Sequence, residues 1–276
     1  MNDTTSTRGQ RWLRALAGDA LKPASASAPV RYADAPLGAD TARFIAVVPD
    51  PGNRFPRARD NVVGLEQGWL LAQAVREAIE DDASASERRP IIAIVDVKSQ
   101  AYGYREEMLG IHLACAAAVD AYASARQAGH PVVALIVGPA MSGAFLAHGY
   151  QANRILALDA PGTMVHAMGK EAAARVTRRS VESLDALGET VTPMSYSLSA
   201  FGKLGLLDRL IEGVDADSPT DEQIALVRRE LIEAVASARR QGRRDLSSRL
   251  DSESAKKTRA ASIEVRRRLA EQWNAD

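Results

Sequence analysis

The sequence predicts an α/β domain built on a parallel sheet, and three observations carry that prediction. Residues 91–95 and 132–137 are unbroken apolar runs, the pattern of strands buried on both faces of a sheet. Each runs into a loop of small residues and then a helical pattern, so strand and helix alternate through the middle of the chain. At 276 residues the chain is long enough for one such domain.

The elements follow in order. Residues 1–40 read as an N-terminal arm: Arg11 to Leu16 has the spacing of a short amphipathic helix, and residues 22–30, rich in Pro, Ala and Ser, have linker composition. Residues 44–48 form the first convincing strand. The loop at 49–60 holds three prolines and a glycine and cannot be helical. Residues 65–79 repeat Leu70, Ala74, Val75 and Ala78 at helical spacing, and 81–89 is a polar loop before the apolar strand at 91–95. The longest helix is predicted over 106–128, with Met108, Ile111, Cys115, Ala118 and Tyr122 on one stripe and Gly129 and Pro131 as its stop. After the strand at 132–137 come a helix starting near Ser142, strands at 154–158 and 163–165, and helical segments from Lys170 that Pro193 breaks. An amphipathic helix over 220–238 precedes a charge-rich stretch that ends in a charged helix, 263–273, a composition that is solvated or partner-bound. The expected division is an arm at 1–40, a folded domain at 41–240 and a charged helical tail at 241–276.

Composition excludes several functions. Thirty-five basic residues balance thirty-five acidic ones, whereas a dedicated nucleic-acid or anionic-membrane binder is strongly basic. The lone cysteine, Cys115, rules out an intrachain disulfide framework. No apolar run approaches a membrane span and the N-terminus lacks the apolar core of a secretory signal, so a cytoplasmic protein is expected. The four histidines lack zinc-site spacing, and no metal is expected.

The chemistry points to the second small-residue loop, Gly138 to Ala144. Small residues between a strand end and a helix start aim bare N–H groups at a developing negative charge, which predicts an oxyanion-stabilising enzyme.

Three stretches resemble the crotonase (ClpP/enoyl-CoA hydratase) superfamily, in its carboxyltransferase branch. Asp96, Ala101, Tyr102, Gly103, Glu106 and Glu107 match the branch's strand, aspartate, turn and acidic residues. Residues 130–149 match its apolar strand, glycine turn and helix, and Leu204 to Ile211 resembles a late superfamily element. The similarity covers roughly residues 44–212. Within the branch, residues 59–75, 138–155 and 161–177 look like the gamma subunits of biotin-independent malonate decarboxylase. That resemblance implies a crotonase-like fold of repeated ββα units. It also implies a heterodimer with a homologous beta subunit that decarboxylates malonyl-S-ACP to acetyl-S-ACP and CO2 through a thioester enolate. The implied partners are that beta subunit, an acyl carrier protein subunit and an acyl-carrier transferase (alpha) subunit. No cofactor is bound directly; the thioester sits on a phosphoribosyl-dephospho-CoA-type arm of the carrier. Alternatives are a carboxyltransferase subunit of a biotin-dependent acyl-CoA carboxylase, and a non-catalytic subunit supporting the beta subunit.

By the same resemblance, the family's Gly-Gly-Ala turn falls on Ser142, Gly143 and Ala144, and the Gly143 and Ala144 amides are the expected oxyanion donors. The family's first turn glycine is replaced by Ser142, and its preceding glycines by Pro139, Ala140 and Met141. Aligned on Gly143-Ala144-Phe145, the related serine peptidases place their nucleophile where this chain has Met141, which cannot form an acyl enzyme. His166, between a strand and a helix start, is the histidine best placed for the site. Gln100, Tyr102 and Met141 are expected to contact substrate. Arg54, Arg57 and Arg59, in the loop after the first strand, are expected to meet phosphates of the carrier's arm or its acidic surface.

Overall fold

A computed structural model of the protein describes residues 6–18 and 28–273. Its centre is a sheet in the order β1-β2-β3-β4-β5-β7. Strands β2 (Asp40–Val47), β3 (Ile91–Val97), β4 (Val132–Met141), β5 (Arg154–Leu158) and β7 (Arg209–Ile211) are parallel, and β1 (Val30–Leu37) closes one edge antiparallel to β2. A short strand, β6 (Met164–His166), pairs instead with the far end of β4. The order β1, β2, α2 (Leu65–Asp81) repeats in β5, β6, α6 (Lys170–Thr177), two ββα units in one chain.

The unbroken apolar runs have a simple cause. On β3, Ile91, Ala93 and Val95 face a layer made by α2 and α4 (Ile111–Gln127), against Leu71, Val75, Ala118 and Tyr122. Ile92 and Ile94 face the opposite layer, against Trp12, Leu13 and Leu16 of α1 (Arg8–Ala17) and Val227 and Leu231 of α9 (Asp221–Gln241). Alternate side chains point to opposite faces, so a strand covered on both sides must be apolar at every position.

Several expectations are corrected. The first strand is β1, not the run at 44–48: residues 30–37 pair with β2 along their whole length. Asp34 and Pro36 hide it, being weak strand formers that an edge tolerates. The short helix expected at the N-terminus is longer and is no free arm, because its Trp12, Leu13 and Leu16 are buried in the core. Residues 22–27 of the expected linker lie outside the described residues.

The helix expected over 106–128 is two, α3 (Tyr104–Met108) and α4. Gly110 separates them at φ 82, a left-handed conformation a helix cannot contain, and Met108 is exposed rather than on the buried stripe. The longest helix is α9, with 21 residues. The charged tail is only partly solvated. The Arg249 guanidinium donates to the carbonyls of Tyr150 and Ala152, and Ser254 and Thr258 donate to that of Lys203. Beyond them, α11 (Ala260–Trp273) has no buried residue.

One buried polar group ties the layers together. His148 is fully buried and its Nε2 lies 2.9 Å from the Ile94 carbonyl, which can only accept, so Nε2 carries the proton. Its Nδ1 then accepts from the Tyr122 hydroxyl at 3.0 Å. Burial pushes this imidazole down to about 4. The unfolded chain therefore binds a proton at higher pH than the folded one, and stability present above the ordinary histidine value is lost as pH falls toward 4. We expect this residue to add about 1.4 kcal/mol per pH unit to the slope of unfolding free energy between those limits. Urea unfolding at pH 7 and pH 5 checks it: His148→Gln should flatten the slope, and an unchanged slope contradicts the assignment.

Candidate active site

β3 and β4 run side by side, and the cleft lies where they stop. Pairing slips between Val95 and Val97, so Val97 meets Ala140 and the two strands end out of step. The chain after β3 is pinned to the segment before α2: Val63 donates to the Ser99 carbonyl and Ala101 donates to that of Val63. This delivers Gln100 to the start of α5 (Ser142–Ala147). The residues Gly138 to Met141, expected as loop, are strand: Pro139, Ala140 and Met141 pair with Met164, Val165 and His166. The turn is therefore confined to Ser142.

Ser142 has φ 54, the left-handed region that a glycine would take there. Its hydroxyl accepts the Gln100 backbone N–H at 3.2 Å. A serine thus occupies a glycine conformation and uses its oxygen to fasten the two loops. The Gly143 and Ala144 amides stand in the first helical turn, where no acceptor exists within the helix. A Cβ added to Gly143 would lie 1.8 Å from Gln100 Oε1. Any side chain there requires the Gln100 carboxamide, the far end of a flexible side chain, to move aside.

The cleft, about 710 Å³, is lined by Gln100, Tyr102, Ser142 and Gly143 on one side and by Ala167 to Gly169 and one face of α6 on the other. Sequence reasoning missed the charged residues here: Lys98, Glu107, Glu171 and Arg175. A signal existed on α6, where Glu171, Ala172, Arg175 and Val176 share one face at helical spacing.

The expected site residues are only partly brought together. Gln100, Ser142 and Gly143 meet, with Tyr102 exposed at the mouth. Ala144 and Met141 lie buried beside the turn. His166 does not line the cleft. Its ring stacks on Tyr196 at 3.8 Å and its Nδ1 lies within hydrogen-bond distance of the Met168 backbone, so it shapes the wall at Ala167 to Gly169. Burial pulls its imidazole below the usual value. The three loop arginines do not converge on the cleft. Arg54 pairs with Glu66 at 2.7 Å, Arg57 faces Glu106 at 3.8 Å, and Arg59 donates to the Asn53 carbonyl at 3.0 Å.

Beneath the site, Asp96 is buried at the strand slip. It accepts Gly9 N–H at 2.9 Å and the Asn61 amide at 2.9 Å, and burial pushes its carboxyl above the ordinary range. It joins α1 to the floor of the cleft and does not line it. Among the described residues no group of His, Cys, Asp and Glu could hold a metal ion, and no helix is long and apolar enough to cross a membrane.

Comparison with known proteins gives this geometry a context. Residues 58–273 match the family model described as malonate decarboxylase gamma subunit. A chain in a Pseudomonas malonate decarboxylase hetero-tetramer in complex with coenzyme A is 55% identical, covers 97% of this chain and 100% of its own, and superposes with a TM-score of 0.90. A chain of a Pseudomonas malonate decarboxylase MdcD-MdcE hetero-dimer is 53% identical over the same shares, with a TM-score of 0.87. The malonyl-S-ACP:biotin-protein carboxyltransferase of Malonomonas rubra is 40% identical over 165 residues, 59% of this chain, and the chain spans only 56% of that relative's length. Transcarboxylase 12S, at 18% identity and a TM-score of 0.56 over 77% of this chain and 36% of its own, shares the fold, which is crotonase-like as expected.

Proposed function

The chain belongs to the malonate decarboxylase gamma-subunit family, and from that premise we propose that it pairs with a homologous beta subunit to convert malonyl-S-ACP to acetyl-S-ACP and CO2. In the proposed step the bond between the carboxylate carbon and the thioester's α-carbon breaks. CO2 leaves, the electron pair becomes an enolate with charge on the thioester oxygen, and a proton then restores the methyl group. The protein's task is to hold that oxygen with fixed donors. One such donor contributes about 3–4 kcal/mol in comparable sites. The observation that carries this reading is the Ser142–Gly143–Ala144 turn, whose first-turn amides stand beside a cleft and whose glycine lies directly under the Gln100 carboxamide. The substrate is the acyl group on the prosthetic arm of a carrier subunit, loaded by an alpha transferase subunit; this chain itself binds no cofactor.

A second reading has one observation in its favour. The Malonomonas rubra relative is a carboxyltransferase to a biotin protein, which would make this chain half of a biotin-dependent transfer site. Both readings use the same turn and differ in the carboxyl acceptor.

In neither is Ser142 given a nucleophile's role: its hydroxyl accepts the Gln100 N–H, and among the described residues no His, Lys or carboxylate side chain is hydrogen-bonded to it as a base. Removing that hydrogen bond forfeits about 1 kcal/mol, so Ser142→Ala should slow decarboxylation by no more than about tenfold. Steady-state rates of the variant co-purified with its beta subunit check this. Abolished turnover, together with labelling of Ser142 in the native protein by a serine-directed acylating reagent, would overturn the oxyanion reading.

A further inference from the structure

We propose that the cleft at the amino-terminal ends of β3, β4 and β5 binds the phosphate group of a small phosphorylated ligand. It lies at the opposite end of the strands from the candidate active site, with Arg88 before β3, Gly129 to Pro131 before β4 and Asn153 before β5. Five arginines, Arg88, Arg126, Arg239, Arg243 and Arg244, line it with one carboxylate, Glu87.

Two of the five are neutralised: Arg239 pairs with Asp40 at 2.8 Å and Glu87 at 3.0 Å, and Arg243 pairs with Asp251 at 2.6 Å. The other three make no ion pair with a described carboxylate and donate only to uncharged oxygens. Arg88 donates to the carbonyls of Ala83 and Ala85, Arg126 to those of Gln151 and Arg244, and Arg244 to that of Gln127. Arg126 is only 7% exposed. The carboxylate of Asp245 does not reach it as an ion pair, being engaged by the Ser247 amide and hydroxyl. A buried guanidinium keeps its charge, and carbonyl oxygens compensate it only in part, so the site as built calls for an anion.

His130 also lines the cleft; its Nδ1 lies 3.0 Å from the Arg89 carbonyl, which can only accept, so Nδ1 carries the proton and the ring supplies wall rather than charge. The geometry suits a compact oxyanion. Arg244 Nη2 comes within 3.6 Å of where a side chain at Gly129 would begin, with the aliphatic stem of Arg88 at 3.9 Å, so an unpaired guanidinium lies over a bare stretch of backbone. Guanidinium forks match phosphate oxygens in paired hydrogen bonds. A cavity of about 550 Å³ leaves room for the organic part of the ligand.

The test is calorimetric titration of the full chain, alone and with its beta subunit, with pyrophosphate, ADP and malonate at low salt. Saturable binding of pyrophosphate or ADP is expected, weakened at least tenfold by Arg88→Ala/Arg244→Ala and unchanged by Arg209→Ala, outside the cleft. Arg126→Gln should weaken it as well; circular dichroism shows whether that variant folds, and the double variant decides the matter if it does not. No saturable binding at millimolar concentration, or equal binding by the double variant, overturns the proposal. Malonate binding as tightly as pyrophosphate overturns the phosphate assignment. Capture of the loaded carrier subunit through these arginines without pyrophosphate binding overturns the small-molecule assignment.

Discussion

Gly143→Val should lower malonyl-S-ACP decarboxylation by about 100-fold or more while the chain still folds and pairs with its beta subunit. A Cβ at this position meets the Gln100 carboxamide oxygen at 1.8 Å, so Gln100 must swing out of its place in the cleft, and a branched side chain then crowds the approach to the Gly143 and Ala144 amides. Gly143 is not among the glycines in the left-handed region, so its backbone would accept a side chain and the obstacle is Gln100. The obstruction should therefore be relieved from the other side. Gly143→Ala should cost several-fold less in kcat/KM in a Gln100→Ala background than in the native chain, a coupling between neighbours that a double-mutant cycle measures. Strictly additive effects would mean that the two residues do not share the site, and native turnover by Gly143→Val would remove the turn from the chemistry.

Trp12→Ala should destabilise the chain by about 3–5 kcal/mol, the cost of deleting a large buried aromatic. Trp12 is fully buried and its indole N–H donates to the Ala216 carbonyl at 3.0 Å, so truncation opens a cavity and strands an acceptor. For a chain of this size that corresponds to a fall in melting temperature of about 10 °C. Trp12→Phe, which keeps most of the volume and loses the hydrogen bond, should fall between. Thermal unfolding of the full chain followed by circular dichroism measures both. If the N-terminal helix were a detachable arm, neither substitution would move the midpoint.

That helix shows where sequence reasoning stops. Its amphipathic spacing was legible in Arg11 to Leu16, but the layer that Trp12 and Leu16 enter is built by strand faces and by α9, more than two hundred residues later. Local pattern reveals a buried face and says nothing of what covers it. The inner strands were legible because burial on both faces forces an apolar residue at every position; β1 was not, because an edge strand escapes that constraint. At the candidate site, the motif around Gly143 and Ala144 located the turn, and Gln100 was expected near it. The fastening of Gln100 by Ser142, and the placement of the Gln100 carboxamide over Gly143, follow a strand slip that periodicity does not reveal. The loop arginines illustrate the converse. Arg54, Arg57 and Arg59 lie within six residues of one another, yet each side chain is held by a different neighbour. Closeness along a loop does not make a cluster.

The most direct test of the proposed activity is the fate of malonyl-S-ACP incubated with this chain and its beta subunit after avidin has removed every biotinylated protein. Mass spectrometry of the carrier and trapping of released CO2 give the two products separately. The expected result is stoichiometric acetyl-S-ACP and CO2, insensitive to avidin, formed by the pair and by neither chain alone. Turnover that stops with avidin and returns when a biotin protein is added would contradict biotin-independent decarboxylation and establish the carboxyltransferase reading in its place.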